Sequence, residues 1–174
     1  LAEDNIPGDF STTIGFVSEY SFRGISQSNE GPAVQGSIDW SHDSGFYAGV
    51  WGSNVEFDDA SLETDIYAGY SGEVGGFTYD VGGIYYAYPG SDEGDHDYNF
   101  AEAALALGYD FDVAALSASV NYSPDYFGGS GDATYVAGNV DVPLPFLPFD
   151  TALNASYGHQ WIDDNAAFGV EDYS

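Results

Sequence analysis

The feature that most constrains this chain is an alternation of apolar and polar residues along almost its whole length. Between residues 12 and 23, Ile14 and Phe16 fall on one side, whereas Gly15 and Glu19 fall on the other. Successive side chains of a β-strand point to opposite faces of its sheet, so this period of two predicts strands with one apolar and one polar face. Because helical spacing is hard to find anywhere in the sequence, we predict an all-β fold.

The connections between the alternating segments predict how the strands are arranged. There are about nine such segments, each close to the length of about 9 to 11 residues that crosses a bilayer when tilted. Tight turns such as HDSG and EVGG alternate with longer polar connections such as PGSDEGDHDY and SPDYFGGSGD. This is how outer-membrane barrels distribute periplasmic turns and extracellular loops. We predict an antiparallel up-and-down transmembrane β-barrel of about 10 to 12 strands, with the N-terminus in the periplasm.

The polarity of the two faces favours a membrane barrel over a soluble β-protein. Soluble barrels and sandwiches also show alternation and turns, but their surfaces usually mix Lys with Glu. This chain has 29 acidic residues and a single Lys or Arg, and the charges within strands lie mostly on one face. A soluble secreted β-barrel or sandwich that binds a ligand or cations is the alternative interpretation.

The composition excludes several classes of protein. A formal net charge of -28 would repel the phosphates of nucleic acids and makes cations the natural partners. The 44% of hydrophobic and 17% of aromatic residues are too many for a disordered acidic coil. The chain has no Cys, which removes thiol chemistry and zinc–thiolate sites, and no apolar run reaches the roughly 18 residues of a membrane helix.

The only cation, Arg23, is predicted to face an acidic barrel interior. The alternation places Tyr20 and Phe22 toward lipid and Arg23 toward the lumen. A buried Arg is costly alone but is well served by a bidentate carboxylate contact, so we interpret Arg23 as a structural latch, with ligand recognition as the alternative. Strand direction places the carboxylates of Glu19, Glu63, Asp65 and Glu102 in a lumen charge cluster with Arg23, and those of Asp39, Asp80 and Asp141 toward the periplasmic end.

The remaining polar residues give little indication of chemistry. The three histidines, His42, His96 and His159, share no motif, and the sequence contains no G-x-S-x-G, HExxH or P-loop pattern. We therefore do not expect an enzyme, and no cofactor is predicted. Clustered carboxylates with glycine suit the flexible oxygen cage of calcium, so one acidic segment is interpreted either as a solvated loop or as a weak calcium site. Its carboxylates are Asp92, Glu93, Asp95 and Asp97.

Two longer segments, at 18–57 and 63–90, carry a resemblance to a known family. They include the motifs FRGISQS and YAGVWGSNV, and they resemble the Gcw-chp family of uncharacterised proteobacterial proteins, generally taken to be outer-membrane β-barrels. The similarity is close in the first half of the chain and looser in the second. The resemblance implies export, a bacterial outer-membrane location and a barrel, but it implies no reaction or ligand.

The chain is predicted to form a single β-barrel domain over residues 1–174, truncated at its C-terminus. Single-chain bacterial barrels close with an even number of strands, whereas about nine are visible here. The final residues, EDYS, resemble the start of a tenth strand after a long loop. We favour a missing C-terminal part over closing strands supplied by another copy.

Two kinds of function follow from this architecture. The protein is expected to be an outer-membrane barrel of either structural or small-channel type, with a polar acidic lumen and acidic extracellular loops. A channel of this kind would favour cations, whereas a structural barrel would act through its loops or through self-association in the membrane as a homo-oligomer or lateral array. The narrow width of about 10 to 12 strands weakens the channel interpretation. Outer-membrane lipid and cations are the expected partners.

Overall fold

The computed structural model describes residues 7–91, 98–146, 149, 151–163 and 172–174. Within this part of the chain the structure contains eleven strands and no helix. The strands are β1 (Asp9–Val17), β2 (Ser21–Phe22), β3 (Ile25–Ser26), β4 (Ala33–Ser41), β5 (Phe46–Phe57), β6 (Ala60–Val74), β7 (Phe77–Ala87), β8 (Phe100–Asp110), β9 (Ala115–Ser123), β10 (Ala133–Pro143) and β11 (Ala152–Ile162).

Nine of the strands form one antiparallel sheet in the order β1-β4-β5-β6-β7-β8-β9-β10-β11, and β2 and β3 form a separate small hairpin. Apart from that hairpin, each strand pairs with its neighbours along the chain, which confirms the predicted all-β, up-and-down arrangement. The turns agree with this topology. Gly75 and Gly76 join β6 to β7 with φ angles of 59° and 83°, and positive φ at both positions is what a two-residue type I′ hairpin turn requires.

The two faces of the sheet have opposite polarity. On the outer face, large apolar side chains are exposed: Ile14 by 74%, Ile66 by 55% and Val81 by 50%. On the inner face, charged residues are buried: Glu63 is 1% and Glu102 4% exposed, counting backbone and side chain together. A water-soluble protein normally shows the reverse distribution, with its charges outside and its apolar groups inside.

The sheet curves around the β2–β3 hairpin. One nitrogen of Arg23, Nη1, lies 2.8 Å from Glu102 on β8 and 2.9 Å from Gln160 on β11. These strands are three positions apart, which would separate them by roughly 14 Å in a flat sheet at about 4.8 Å per strand. Side chains that stand upright on a flat sheet could not both reach one nitrogen at that spacing, so the inner face is concave and the hairpin lies within it.

Buried apolar residues gather at the hairpin end of the sheet. The packed set comes from the ends of β5 to β8, β10 and β11 and from the connections beside them, and it includes Val55, Tyr86, Tyr88, Tyr98, Phe100 and Tyr126. Rings of Phe57, Tyr98 and Phe127 add stacked and edge-to-face contacts with centroids 5.0 to 6.1 Å apart. Aromatic pairs prefer these geometries, so this end of the molecule forms a rigid aromatic packing unit.

The predicted direction of Tyr20 and Phe22 toward lipid is wrong. Strand β1 ends at Val17, so the alternation does not continue into the next residues. The Tyr20 ring instead packs edge-on against Trp51 at 5.4 Å, and Phe22 packs against Tyr86 at 5.7 Å. The chain therefore turns inward after β1, and both rings lie inside the curve of the sheet.

The chain returns to the sheet edge near its last residues. Gln160 of β11 and Tyr173 form an antiparallel bridge with two backbone hydrogen bonds, of 2.8 and 3.2 Å. Among the described residues, no strand pairing joins β1 to β11. That the chain lacks closing strands stays a prediction. No helix long and apolar enough to span a membrane occurs in the described part of the chain.

Candidate functional site

The β2–β3 hairpin presents Arg23 at its tip. Phe22 pairs with Ile25, which leaves Arg23 and Gly24 as a two-residue turn with φ angles of 48° and 85°. Both angles are positive, as in a type I′ turn. An arginine in this conformation is unfavourable because its Cβ crowds the following carbonyl oxygen, so contacts of the side chain must offset the cost.

The guanidinium of Arg23 makes a forked contact with the inner face of the sheet. Nη1 donates to Glu102 Oε1 at 2.8 Å and Nη2 donates to Glu102 Oε2 at 2.6 Å, while Nη1 also donates to Gln160 Oε1 at 2.9 Å. Bidentate contacts of this kind fix geometry and are stronger than single neutral hydrogen bonds. We call Arg23, Glu102 and Gln160 the latch, because they join the hairpin to β8 and β11.

The latch is enclosed by aromatic rings and has little contact with solvent. The Arg23 side chain is 7% exposed and that of Glu102 is 2% exposed. The guanidinium carbon lies 4.3 Å from the Tyr135 ring centre and 4.6 Å from that of Phe22, both within cation–π range. The charge of Arg23 is therefore satisfied by a carboxylate, an amide oxygen and two ring faces.

A second polar contact joins the segment before the hairpin to β6. The Tyr20 hydroxyl donates to Glu63 Oε1 at 2.7 Å, and Tyr88 also hydrogen-bonds this carboxylate. Both tyrosines lie outside the strands of the sheet. Burial, followed by the nearby Glu63 charge, raises the pKa of Tyr20 and of Tyr88 far above the ordinary tyrosine value. Their hydroxyls therefore stay protonated and act as hydrogen-bond donors to Glu63.

The remaining carboxylate at this end, Asp65, has one oxygen without a hydrogen-bond partner in the described part of the chain. Its side chain is buried, and Oδ1 has no hydrogen-bond partner among the described residues. The described residues include no group of three or more His, Cys, Asp or Glu side chains that could hold a metal ion. The latch region thus gathers three acidic side chains, Glu63, Asp65 and Glu102, around one arginine.

Farther from the hairpin, the inner face carries tyrosine–carboxylate pairs that cross a strand. The Tyr47 hydroxyl on β5 donates to Asp80 Oδ1 on β7 at 2.8 Å, and that of Tyr67 on β6 donates to Asp39 on β4. Each tyrosine ring lies over a glycine of a neighbouring strand: Gly69 beneath Tyr47 and Gly49 beneath Tyr67. A side chain at either glycine would occupy the space of the ring, so these glycines permit the cross-strand contacts.

The structure places the predicted site residues in three different situations. Of the four carboxylates predicted beside Arg23, Glu102 contacts it directly, while Glu63 and Asp65 are buried at the same end. Glu19 is exposed and lies outside this cluster, contrary to the prediction, because β1 ends before it. Asp39, Asp80 and Asp141 lie farther from the hairpin, where their partners are Tyr67, Tyr47 and Asn154.

The predicted calcium residues Asp92, Glu93, Asp95 and Asp97 lie outside the described residues, as does His96. The other two histidines hydrogen-bond serines: His42 Nδ1 lies 2.6 Å from Ser44 Oγ, and His159 Nδ1 lies 2.7 Å from Ser174 Oγ. His42 thus takes part in the turn after β4, and His159 takes part in a contact on β11, at the edge of the sheet.

Sequence analysis missed several residues that complete the site. Gln160 on β11 and Tyr135 on β10 contact Arg23, and Tyr20 and Tyr88 bind Glu63. The tyrosines on the inner face could have been recognised from their pairing with glycines, because Tyr47 stands opposite Gly69 and Tyr67 opposite Gly49 once the strands are aligned. Gln160 carries no comparable signal.

Fold and site together define a curved antiparallel β-protein that is apolar outside and encloses a buried arginine–carboxylate pair. Residues 1–173 match the family model described as a bacterial protein of unknown function, Gcw_chp, and the chain belongs to this family. The resemblance noted in the sequence is thereby confirmed. No curated protein and no solved structure matches the chain.

Proposed function

We propose that this protein is a bacterial outer-membrane β-barrel of structural type, whose interior is closed at one end by the latch and the hairpin that carries it. The observation that carries the proposal is the inverted polarity of the sheet. Exposed apolar side chains line the outer face of successive strands, among them Ile38, Ile66, Val81 and Leu107. An exposed apolar surface of this extent is rare on soluble monomers and is the expected surface toward lipid.

The distribution of aromatic residues on the outer face supports the same proposal. At the turn end, Phe46 packs against Tyr70 at 5.0 Å and Phe77 against Tyr109 at 4.5 Å. At the hairpin end, Phe16, Tyr85, Tyr122 and Trp161 are exposed. Aliphatic residues lie between these two bands. Aromatic girdles on either side of an apolar band are typical of transmembrane barrels.

The latch favours a closed structural barrel over an open channel. Arg23 reaches Glu102 on β8 and Gln160 on β11, and Tyr20 reaches Glu63 on β6. The hairpin and the segment before it, which carry these contacts, cross the interior. A cavity of about 690 Å³ at the turn end, whose lining includes the acidic residues Glu73, Asp110 and Asp141, favours a small cation channel as the second candidate, with the latch as its barrier.

Membrane fractionation of a Gram-negative host that exports the protein tests the location. We expect the chain in the outer-membrane fraction, resistant to extraction by alkaline carbonate and by urea, and released by detergent. Recovery in the soluble periplasmic fraction, or release without detergent, would instead support the alternative of a soluble secreted β-protein.

Planar-bilayer recording of the purified protein separates the two membrane candidates. We expect no steady conductance from the natural sequence, because the hairpin crosses the interior. A sustained cation-selective current from the natural sequence would overturn the structural proposal in favour of the channel. Cross-linking in native membranes would test self-association, either as a homo-oligomer or as a lateral array, with outer-membrane lipid as the proposed surrounding partner.

A further inference from the structure

A cavity separate from the latch opens beside the hairpin, within the aromatic packing at that end of the sheet. We propose that it is a binding site for a small, neutral aromatic molecule that carries one hydrogen-bonding group. The proposal concerns a ligand and is independent of where the protein is located. The walls are mostly rings, including those of Phe22, Phe57, Tyr88, Phe100, Tyr126 and Phe127.

The size of the cavity sets the size of the ligand. Its volume is about 240 Å³. An engineered apolar cavity of about 150 Å³ in another protein holds benzene, so this one suits a molecule of about two fused rings. Pockets of this kind are mostly apolar, with a few polar groups that fix the orientation of the ligand.

One polar atom in the cavity wall has no hydrogen-bond partner within the part of the chain that the structure describes. Ser130 lines the cavity, its side chain is 3% exposed, and its hydroxyl oxygen has no hydrogen-bond partner among the described residues. The tyrosine hydroxyls of the wall are engaged, because Tyr88 hydrogen-bonds Glu63 and Tyr126 hydrogen-bonds Tyr173. Buried hydroxyls in proteins are normally satisfied, so the Ser130 hydroxyl is the group that a ligand would pair with.

The charges around the cavity favour a neutral ligand. The carboxylate of Glu63 lies behind Tyr88, and the cation of Arg23 is already bonded to Glu102. No described cationic side chain is therefore left to pair with an anionic ligand, and the net charge of -28 would repel one. A carboxylate-bearing ligand such as a fatty acid is thus disfavoured.

The arrangement of the wall favours an aromatic ligand over an aliphatic chain. Phe57 meets Tyr88 edge-on with centroids 5.4 Å apart, and Phe127 meets Tyr88 in the same way at 5.7 Å. A planar ring placed among them would extend these contacts, and such pairs contribute beyond the area that they bury. Ile25 of the hairpin lines the cavity and is 43% exposed, so the opening lies beside the hairpin.

Calorimetric titration of the full chain in detergent with 2-naphthol, a neutral fused ring with one hydroxyl, tests the proposal. We expect saturable binding of one molecule per chain. Ile25→Trp should abolish it by filling the opening, whereas the matched control Ile14→Trp, on the exposed outer face, should bind as the natural sequence does. Ser130→Ala should weaken 2-naphthol roughly fivefold, the usual effect of one neutral hydrogen bond, and leave naphthalene binding unchanged.

Three results would overturn the proposal. The first is non-saturable uptake of 2-naphthol that Ile25→Trp does not alter, which is partition into detergent. The second is tighter binding of 1-octanol than of 2-naphthol, which would indicate an aliphatic ligand. The third is binding of 2-naphthoate as tight as that of 2-naphthol, which would contradict selection of a neutral molecule. Far-ultraviolet circular dichroism confirms that each variant is folded.

The outcomes stay separable from those of the proposed function. A chain that binds 2-naphthol but fractionates with soluble proteins keeps the ligand site and loses the membrane proposal. A chain that fractionates with the outer membrane but shows no saturable binding keeps the membrane proposal and loses the ligand site.

Discussion

At the scale of single residues, Arg23 combines an unfavourable backbone conformation with a side chain that donates three hydrogen bonds. Its φ of 48° is one that non-glycine residues seldom adopt, and asparagine is the usual choice in such a turn. The contacts of its side chain with Glu102, Gln160 and two aromatic rings offset the conformational cost of this positive φ. The side chain thus explains why a turn position that favours asparagine holds the only cation of the chain.

Removing the cation should destabilise the fold strongly. We expect Arg23→Ala to lower the free energy of unfolding by about 3 to 5 kcal/mol, because it leaves the buried Glu102 charge uncompensated. Urea unfolding in detergent, followed by tryptophan fluorescence, measures the change. The double variant Arg23→Met with Glu102→Gln should recover most of the loss, since no unpaired charge remains. A loss below about 0.5 kcal/mol for Arg23→Ala would contradict the structural role of the latch.

A methyl group beneath a tyrosine ring should also be costly. We expect Gly69→Ala to lower the free energy of unfolding by about 1 to 3 kcal/mol, because the added Cβ would lie 2.8 Å from the Val81 carbonyl oxygen and overlap the Tyr47 ring. The matched control is Gly15→Ala in β1, where nothing lies within 4 Å of the added Cβ. Equal melting temperatures for the two variants would exclude the close approach of Tyr47 to the backbone of β6.

At the scale of elements, the hairpin and the connections beside it hold buried tyrosines whose hydroxyls resist ionisation. Burial is the largest cause that raises the pKa of Tyr20, Tyr88 and Tyr126, and all three lie outside the strands of the sheet. The ordinary pKa of tyrosine is about 10, so the unfolded chain releases these protons above pH 10 while the folded chain holds them.

Stability should therefore fall in alkaline solution. The part of the stability that comes from these protonated hydroxyls is fully present below pH 10 and is lost as the pH rises above it, by about 1.4 kcal/mol per pH unit for each retained proton. Urea midpoints between pH 8 and pH 11 measure the slope. Tyr126→Phe should reduce it, with Tyr85→Phe on the outer face as the matched control. A slope that Tyr126→Phe leaves unaltered would contradict this account.

At the scale of the whole molecule, a new positive charge should destabilise the protein far more on the outer face of the sheet than on the inner face. Val81 on the outer face and Ala106 on the inner face lie on the adjacent strands β7 and β8, and Ala106 stands opposite Asp80. We expect Val81→Arg to cost about 2 to 4 kcal/mol and to reduce the amount recovered in membranes, the usual cost of Arg at a lipid face near the bilayer midplane. Ala106→Arg should be tolerated much better, since it meets a carboxylate. If Val81→Arg proved the milder change, the outer face would not contact lipid.

The sequence predicts the alternation-dependent part of this architecture and fails where alternation stops. The nine sheet strands follow from their period of two, because one apolar and one polar face repeat along each of them. The alternation places Tyr20 and Phe22 on the wrong side, since no local signal marks the end of β1 at Val17. The choice of Glu102 as the partner of Arg23 depends on the curvature of the sheet, which a linear pattern does not encode.

The burial of Arg23 has one more consequence, for proteolysis. Trypsin cleaves after Lys and Arg, so this chain offers it a single cleavable bond, and that bond lies in the latch. The rate at which trypsin divides the folded protein into two fragments therefore reports how often the hairpin leaves the interior, when opening is fast relative to cleavage. The natural sequence thus carries its own reporter of one local motion, and no label is required.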